Sequence, residues 1–276
     1  MSRNIVKAKL DIIFKKIFGT KGNEDVLSSF LSGVLEIPQN DIGEIKIKNT
    51  EMIPEQVNGK FSRMDLAMKV RNKLINIEIQ LKEQADFNDR TLFYWSKLYS
   101  GELKSGDEYG ELKETICINI INFNMFDCNE YHSHFKVMEK TRHEILSEKF
   151  AIHFFELKKI NRKEKGKTPM ELWLQFINAE TQEDLDMLKT TEIPEIQKAV
   201  LIIEELSEDE KIQEIARLRE KQMHDEATAL GHAKREGVAE GEAKGRAEGI
   251  NQMIEAMRKN GIPEEQIQMM LKSINS

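Results

Sequence analysis

The stretch that decides the fold runs Arg63-Met64-Asp65-Leu66-Ala67-Met68-Lys69-Val70, then Arg71-Asn72-Lys73, then Leu74-Ile75-Asn76-Ile77-Glu78-Ile79-Gln80-Leu81-Lys82. Met64, Leu66, Met68 and Val70 alternate with Arg63, Asp65, Ala67 and Lys69. After the polar break, Ile75, Ile77, Ile79 and Leu81 alternate with Asn76, Glu78, Gln80 and Lys82. A period of two is the signature of a half-buried strand, and two such runs around a short polar segment read as an antiparallel hairpin. Directly paired residues share a face, so two registers are open. A two-residue Asn72-Lys73 turn sets Asp65 opposite Gln80, with Glu78 as its diagonal neighbour. A shift of two keeps both faces and sets Asp65 opposite Glu78. A shift of one would bury the acids and is rejected.

Two carboxylates on adjacent strands, with no lysine between them, repel each other. A divalent cation removes that repulsion, and hard oxygen donors suit Mg²⁺, with Mn²⁺ as the alternative. The same face carries Arg63, Lys69 and Lys82, which suits a phosphate ligand. Acids on a hairpin also occur on ordinary solvated sheet faces, so the surroundings matter. Upstream, Ile45 and Ile47 alternate with Glu44, Lys46 and Lys48, which reads as a strand. Downstream, Thr115 to Phe123 is almost wholly apolar, as a strand buried on both faces requires. The hairpin is therefore expected inside a sheet, with its polar face covered or in a cleft.

Helices flank these strands. Leu10, Ile13, Phe14, Ile17 and Phe18 make one apolar helical face ended by Gly19, with Asp11 and Lys15 four apart on the other side. Val26, Leu27, Phe30, Leu31, Val34 and Leu35 make a second, which ends before Pro38. Asp86 and Asn88 open a helix from about Phe87 to Tyr99, carrying Arg90, Phe93, Tyr94, Trp95 and Tyr99. Further strands are expected at Phe135–Met138 and Ala151–Leu157. Beyond Lys165 the pattern turns helical: Pro169 opens Met170–Asn178, and Pro194 starts a long charged stretch reaching past Lys221. Glycines 237, 241, 245 and 249 then recur every four residues among Ala, Glu and Lys. Small residues at that spacing let a second helix approach closely, which suggests a self-associating helix and a homodimer. A solvated, partly helical spacer is the other reading. The expected organisation is a core over 1–165, a helical extension over 166–230, and a repeat with a short helical tail over 231–276.

The chain has 276 residues, 48 acidic and 41 basic, for a net charge of −7. Taken whole, that argues against a nucleic-acid partner. The distribution does not. From Leu201 onward there are 16 acidic and 11 basic residues, net −5, leaving 32 and 30 in the first 200. Residues 1–22 hold six basic side chains against Asp11 alone, and Lys60 to Lys104 holds nine against six. DNA is thus expected at the N-terminal half. Two cysteines are too few for a disulfide scaffold or a cysteine-based zinc site, and a reducing cytosol is the expected setting. No run approaches the ~20 apolar residues of a membrane span, Met1 to Lys9 lacks the apolar stretch of a secretory signal, and no Walker-type loop indicates ATP coupling. His132 and His134 share a strand face, but no third ligand is evident, so they are expected at the surface.

The order helix, strand, strand with Asp, strand with Glu-x-Gln, helix, strand resembles the PD-(D/E)XK nuclease fold, an α/β restriction-endonuclease-like core, here with a helical C-terminal extension. More narrowly, the chain resembles the bacterial recombination-promoting nucleases, a family also labelled transposase. The resemblance is carried by Leu10 to Gly19, Arg63 to Leu66, Asn76 to Gln80, Asp89 to Trp95, Tyr99, the Gly106 to Lys113 loop, the Thr115–Phe123 strand, His153 to Lys158 and the glycine repeat. It covers roughly the chain up to Gly249.

That resemblance implies a Mg²⁺-dependent endodeoxyribonuclease that hydrolyses DNA phosphodiesters in recombination or mobile-element biology, in the bacterial cytoplasm at the nucleoid. Asp65 and Glu78 would be the metal-binding carboxylates, with the main-chain carbonyl of Ile79 as a further ligand. Gln80 stands where most of the superfamily has lysine; its amide can orient the attacking hydroxide but carries no charge, and Lys82 is expected to supply that charge. Asp11 either completes the site from the first helix or pairs with Lys15. Arg63, Arg90 and Lys15 are the expected DNA contacts, with Arg90 the best candidate for a phosphate; a structural pair with Asp86 or Asp89 is its other reading. Tyr94, Trp95 and Tyr99 are expected in the core rather than stacked on bases. The alternative function is a catalytically weak or inactive DNA-binding or assembly protein that keeps the fold.

Overall fold

The computed structural model describes residues 5–48 and 66–274. Arg63 and Asp65 lie outside the described residues. The chain divides into two compact units, Met1–Glu220 and Lys221–Ser276. Its strands are β1 (Ile45–Lys48), β2 (Leu66–Val70), β3 (Lys73–Gln80), β4 (Glu114–Ile121), β5 (His132–Phe135) and β6 (Phe150–Glu156). Its helices are α1 (Asp11–Phe18), α2 (Glu24–Leu35), α3 (Gln39–Ile42), α4 (Phe87–Ser100), α5 (Pro169–Ile177), α6 (Gln182–Lys189), α7 (Pro194–Glu208), α8 (Glu210–Lys259) and α9 (Glu264–Ile274). No helix among the described residues is long and apolar enough to cross a membrane.

The first unit holds the mixed α/β core that the alternation implied. Its six strands are ordered β1-β2-β3-β4-β6-β5. The hairpin β2–β3 and its neighbour β1 are antiparallel, β3, β4 and β6 run parallel, and β5 closes one edge antiparallel to β6. β3 is therefore an interior strand. Leu66 pairs with Ile77, Met68 with Ile75 and Val70 with Lys73, which is the second of the two registers open from the sequence. The turn is Arg71-Asn72 rather than Asn72-Lys73. Arg71 takes a left-handed backbone (φ 49°), and its guanidinium donates to the Asn40 carbonyl at 2.7 Å and lies 3.5 Å from Asp41. Gly43 makes this anchorage possible: its φ is 65°, and a Cβ there would sit 2.7 Å from Arg71 Nε.

Pairing fixes which side chains share a face. Ala67, Asn76, Glu78, Thr115, Cys117 and Asn119 lie on one face of the sheet, and α4 covers it. Phe87 packs edge-on against Phe123 and Phe154, each at 6.1 Å, while Tyr94 and Leu98 cluster with Ala67. Trp95 stacks on Tyr99 at 4.6 Å and donates its indole N–H to the Thr115 carbonyl at 2.8 Å. Tyr94 is buried in the core, as expected, whereas Trp95 and Tyr99 are half-buried at its margin. The other face meets the helices of the opposite layer. A Cβ on Gly19, just past α1, would sit 3.4 Å from the Leu66 side chain. Phe14, Phe18, Phe30 and Trp173 from α1, α2 and α5 interlock with ring centroids 4.5–5.9 Å apart, a geometry that adds about 0.5–1.5 kcal/mol per pair beyond burial.

Local chemistry sets the helix boundaries. α5 opens with Pro169 after Thr168, whose hydroxyl and the Glu171 carboxylate form a capping box. α6 opens the same way on Thr181 and Asp184. The long helix expected after Pro194 is two helices. Asp209 takes an extended backbone (φ −78°, ψ 109°) that ends α7, and its carboxylate accepts the backbone N–H groups of Lys211 and Ile212 at 2.8 and 3.2 Å, which starts α8. At β5, the strand begins at His132 rather than Phe135, and Met138 forms only a bridge with Ile145.

In the second unit, α8 turns at Gly261 (φ 75°) into α9. Arg258 makes two hydrogen bonds to Glu264, at 3.0 and 2.8 Å, and Ile267 is buried. A methyl group added at Gly237, Gly241, Gly245 or Gly249 would meet nothing within 4 Å. The repeat glycines are thus solvent-facing within this chain.

Candidate active site

The carboxyl end of β3 gathers several of the candidate residues. Alternation along β3 puts Asn76, Glu78 and Gln80 on the face that α4 covers, and the covering is tight. Asn76 is 1 % exposed, Glu78 7 % and Asn119 0 %. Asn76 donates its amide N–H to Glu78 Oε1 at 3.2 Å, and Thr91 of α4 donates to Asn119 at 3.4 Å. Burial, with the Glu78 charge beside it, pushes the Cys117 thiol far above its ordinary range. That thiol is an inert packing group; the second cysteine, Cys128, is exposed in a loop rather than in or beside a strand. Asn76 Oδ1 is buried and has no hydrogen-bond partner among the described residues.

The cations at this end are arranged differently from what spacing suggested. Arg90 makes no acidic pair among the described residues, neither with Asp86 nor with Asp89. Its guanidinium donates to Gln80 Oε1 at 2.8 Å and to Gln84 Oε1 at 2.5 Å, and lies 5.1 Å from the centre of the Phe87 ring. Gln80 spends its amide N–H on the Lys82 main-chain carbonyl at 2.7 Å. The Lys82 ammonium is buried with no hydrogen-bond partner among the described residues. A buried ammonium without a partner is costly, so the site calls for an anion. Glu78, Ile79, Gln80, Lys82 and Arg90 are thus gathered at one end of one strand.

Asp11 and Lys15 sit on α1. The Asp11 carboxylate takes the Arg219 guanidinium through two hydrogen bonds, at 3.0 and 3.2 Å. That partner lies 208 residues away, so no local spacing could show it. Among the described residues no three histidine, cysteine or acidic side chains cluster as a metal ion would require, and Glu78 is the single carboxylate described at the end of β3.

Other groups went unseen in the sequence. His153 of β6 is the third histidine that His132 and His134 lacked. Its ring stacks on His134 at 4.0 Å, and its Nδ1 lies 3.0 Å from His132 Nε2. Burial, then the neighbouring imidazoles, pushes its pKa down to about 3, so it is a neutral core residue. The signal would have been the β5–β6 pairing of His134 with His153, which is non-local. Glu156 is 1 % exposed and serves as a brace, accepting the backbone N–H of Met125 at 2.6 Å and the Lys159 ammonium at 2.6 Å. A cavity of about 500 Å³ lies elsewhere, at the Arg71–Lys73 end of the sheet.

No curated protein sequence and no solved structure matches the chain. Residues 8–233 match the family model described as PD-(D/E)XK nuclease family transposase, and the chain belongs to that family.

Proposed function

We propose that this protein is a divalent-metal-dependent endodeoxyribonuclease, with Mg²⁺ as the expected ion and DNA recombination or mobile-element chemistry as its setting. The observation that carries the reading is the pair of cations gathered with the buried Glu78 carboxylate at the end of β3: among the described residues the Lys82 ammonium is buried with no hydrogen-bond partner, and the Arg90 guanidinium donates only to amide oxygens. The donor set suits a hard cation. Glu78 and the Ile79 carbonyl would hold it together with Asp65, which lies outside the described residues. A divalent ion held there supplies Lewis acidity and lowers the pKa of bound water.

The chain's own residues do the rest. Asn76 orients the Glu78 carboxylate through its amide N–H. Lys82 and Arg90 bind the phosphate and stabilise the charge that grows on it during attack. α4 and the apolar side chains around Phe87 keep the rear of the site dry, which strengthens those interactions. The test is plasmid nicking with Mg²⁺, Mn²⁺ or EDTA, wild type against Asp65→Ala. Metal-dependent nicking by the wild type alone is the expected result; equal nicking by both sinks the proposal.

One observation favours the second reading, a DNA-binding protein that has lost cleavage. Both ends of the Gln80 amide already hold a partner, Arg90 and the Lys82 carbonyl, so the side chain expected to orient a water is turned to other groups and keeps one N–H and one lone pair. Wild-type protein that binds plasmid and leaves it supercoiled in every metal would establish this reading instead.

A further inference from the structure

Gln80 carries no charge, yet it decides where a charge sits. Its amide orientation is set by chemistry on both sides. The oxygen accepts from Arg90 Nη2 at 2.8 Å and the nitrogen donates to the Lys82 carbonyl at 2.7 Å. Rotating the amide by half a turn would set an NH₂ against a guanidinium and an oxygen against a carbonyl, losing both bonds. Arg90 is in turn held at its other terminal nitrogen by Gln84 at 2.5 Å, and on its face by the Phe87 ring. A guanidinium has five N–H donors, and amide oxygens neutralise none of its charge. Arg90, on α4, is therefore fixed in place with its full charge and spare donors against Gln80, which lies two positions along β3 from Glu78. Residues two apart on a strand share a face and lie about 6.6 Å apart.

We infer that Gln80 is a positioning residue, whose amide aims the Arg90 guanidinium at a DNA backbone phosphate beside Glu78. This rests on the nuclease reading above, and it assigns residue 80 to substrate phosphate rather than to water. Gln84 is the second support of the same guanidinium.

The test is binding of a fluorescent duplex by anisotropy in EDTA, across a range of salt concentrations, for wild type, Arg90→Ala, Gln80→Ala and the double variant. Removing one phosphate contact lowers the slope of log affinity against log salt by about 0.9. Arg90→Ala should show that loss. Gln80→Ala should show nearly the same loss although it removes no charge, and the double variant should lose no more than Arg90→Ala alone. Arg90→Lys, which keeps the charge but cannot bridge two amide oxygens, should keep most of the slope with weaker affinity. Thermal melting establishes that each variant is folded, and Gln80→Glu gives a second route: a carboxylate facing Arg90 neutralises it and should lower the slope as Gln80→Ala does. An unchanged slope in Gln80→Ala, or losses that add in the double variant, overturns the inference. The nuclease reading fails separately: a wild type that shows this binding pattern but does not nick plasmid keeps Gln80 in its role and removes cleavage.

Discussion

At its amino end, β3 begins with Lys73, whose ammonium pairs with Glu114 of the next strand. Around it lie Lys136 paired with Glu148 and the Lys149 ammonium donating to the Gly110 carbonyl at 2.8 Å, beside a cavity of about 500 Å³. At its carboxyl end, β3 presents Glu78, then a lysine with no partner and an arginine with no acid among the described residues. One end has volume and paired charge; the other holds, in Lys82 and Arg90, two cations with no acidic partner among the described residues. Affinity for a phosphodiester depends on charge that has not already been spent, because a paired ammonium must first give up its partner. The comparison therefore favours the Glu78 end for the proposed chemistry over the end that holds the cavity.

The hardest test of that contrast is to remove Glu78. Glu78→Ala should lower metal-dependent cleavage by more than the roughly 10- to 100-fold that the loss of an outer hydrogen-bonding partner costs, while Asn76→Leu should fall within that range. Plasmid nicking rates measure both, and equal effects of the two would place the carboxylate outside the reaction. Next in size is Lys82→Ala, with an expected loss of about 100-fold, the scale of deleting one donor to developing transition-state charge. Cleavage unchanged in this variant would mean that the buried ammonium has no part in the chemistry.

The Lys73 end should govern acid stability instead. A smaller cavity there is lined by Lys73, Glu114, Lys136, Glu148, His134 and His153. His153 has a folded pKa of about 3 against an ordinary 6.5, because of burial and then the imidazoles of His134 and His132 and the Lys136 charge. Between those values the unfolded chain binds the extra proton, so stability falls as pH drops from about 6.5 towards 3 and is fully present above that window. Denaturant melts of wild type and His153→Phe across pH 4–7 should show a weaker pH dependence in the variant. A variant with the wild-type pH dependence would show that the histidine stack does not titrate as placed. The smallest expected effect is that of Lys73→Ala. Its pair with Glu114 is about one-third exposed, so the loss should be at most about 1 kcal/mol of stability, read from thermal melting, with cleavage unchanged.

Most of this contrast was partly legible in the residues. The period-two runs placed β2 and β3, and the apolar Thr115–Phe123 stretch gave a strand between neighbours, because alternation and burial are written locally. The choice between two registers was not, since it turned on Arg71 adopting a left-handed backbone anchored to Asn40 and Asp41. Glu78, Gln80, Lys82 and Arg90 could be named from their spacing. That Arg90 meets two glutamines rather than Asp86 or Asp89 could not, because all the candidate partners lie within one loop and one helical turn and only the loop's path selects among them. Asp11 with Arg219, and His153 with His132 and His134, are contacts between distant segments, which periodicity does not carry. The net charge of −7 likewise said little until it was divided between a locally basic hairpin and an acidic helical end.

The most direct measurement is conversion of supercoiled plasmid in Mg²⁺ by three proteins side by side: wild type, Glu78→Gln and Lys73→Ala, each checked for folding by its melting temperature. The account predicts nicking by wild type and Lys73→Ala, abolished in all three by EDTA, and none by Glu78→Gln. Nicking by Glu78→Gln at the wild-type rate would contradict it.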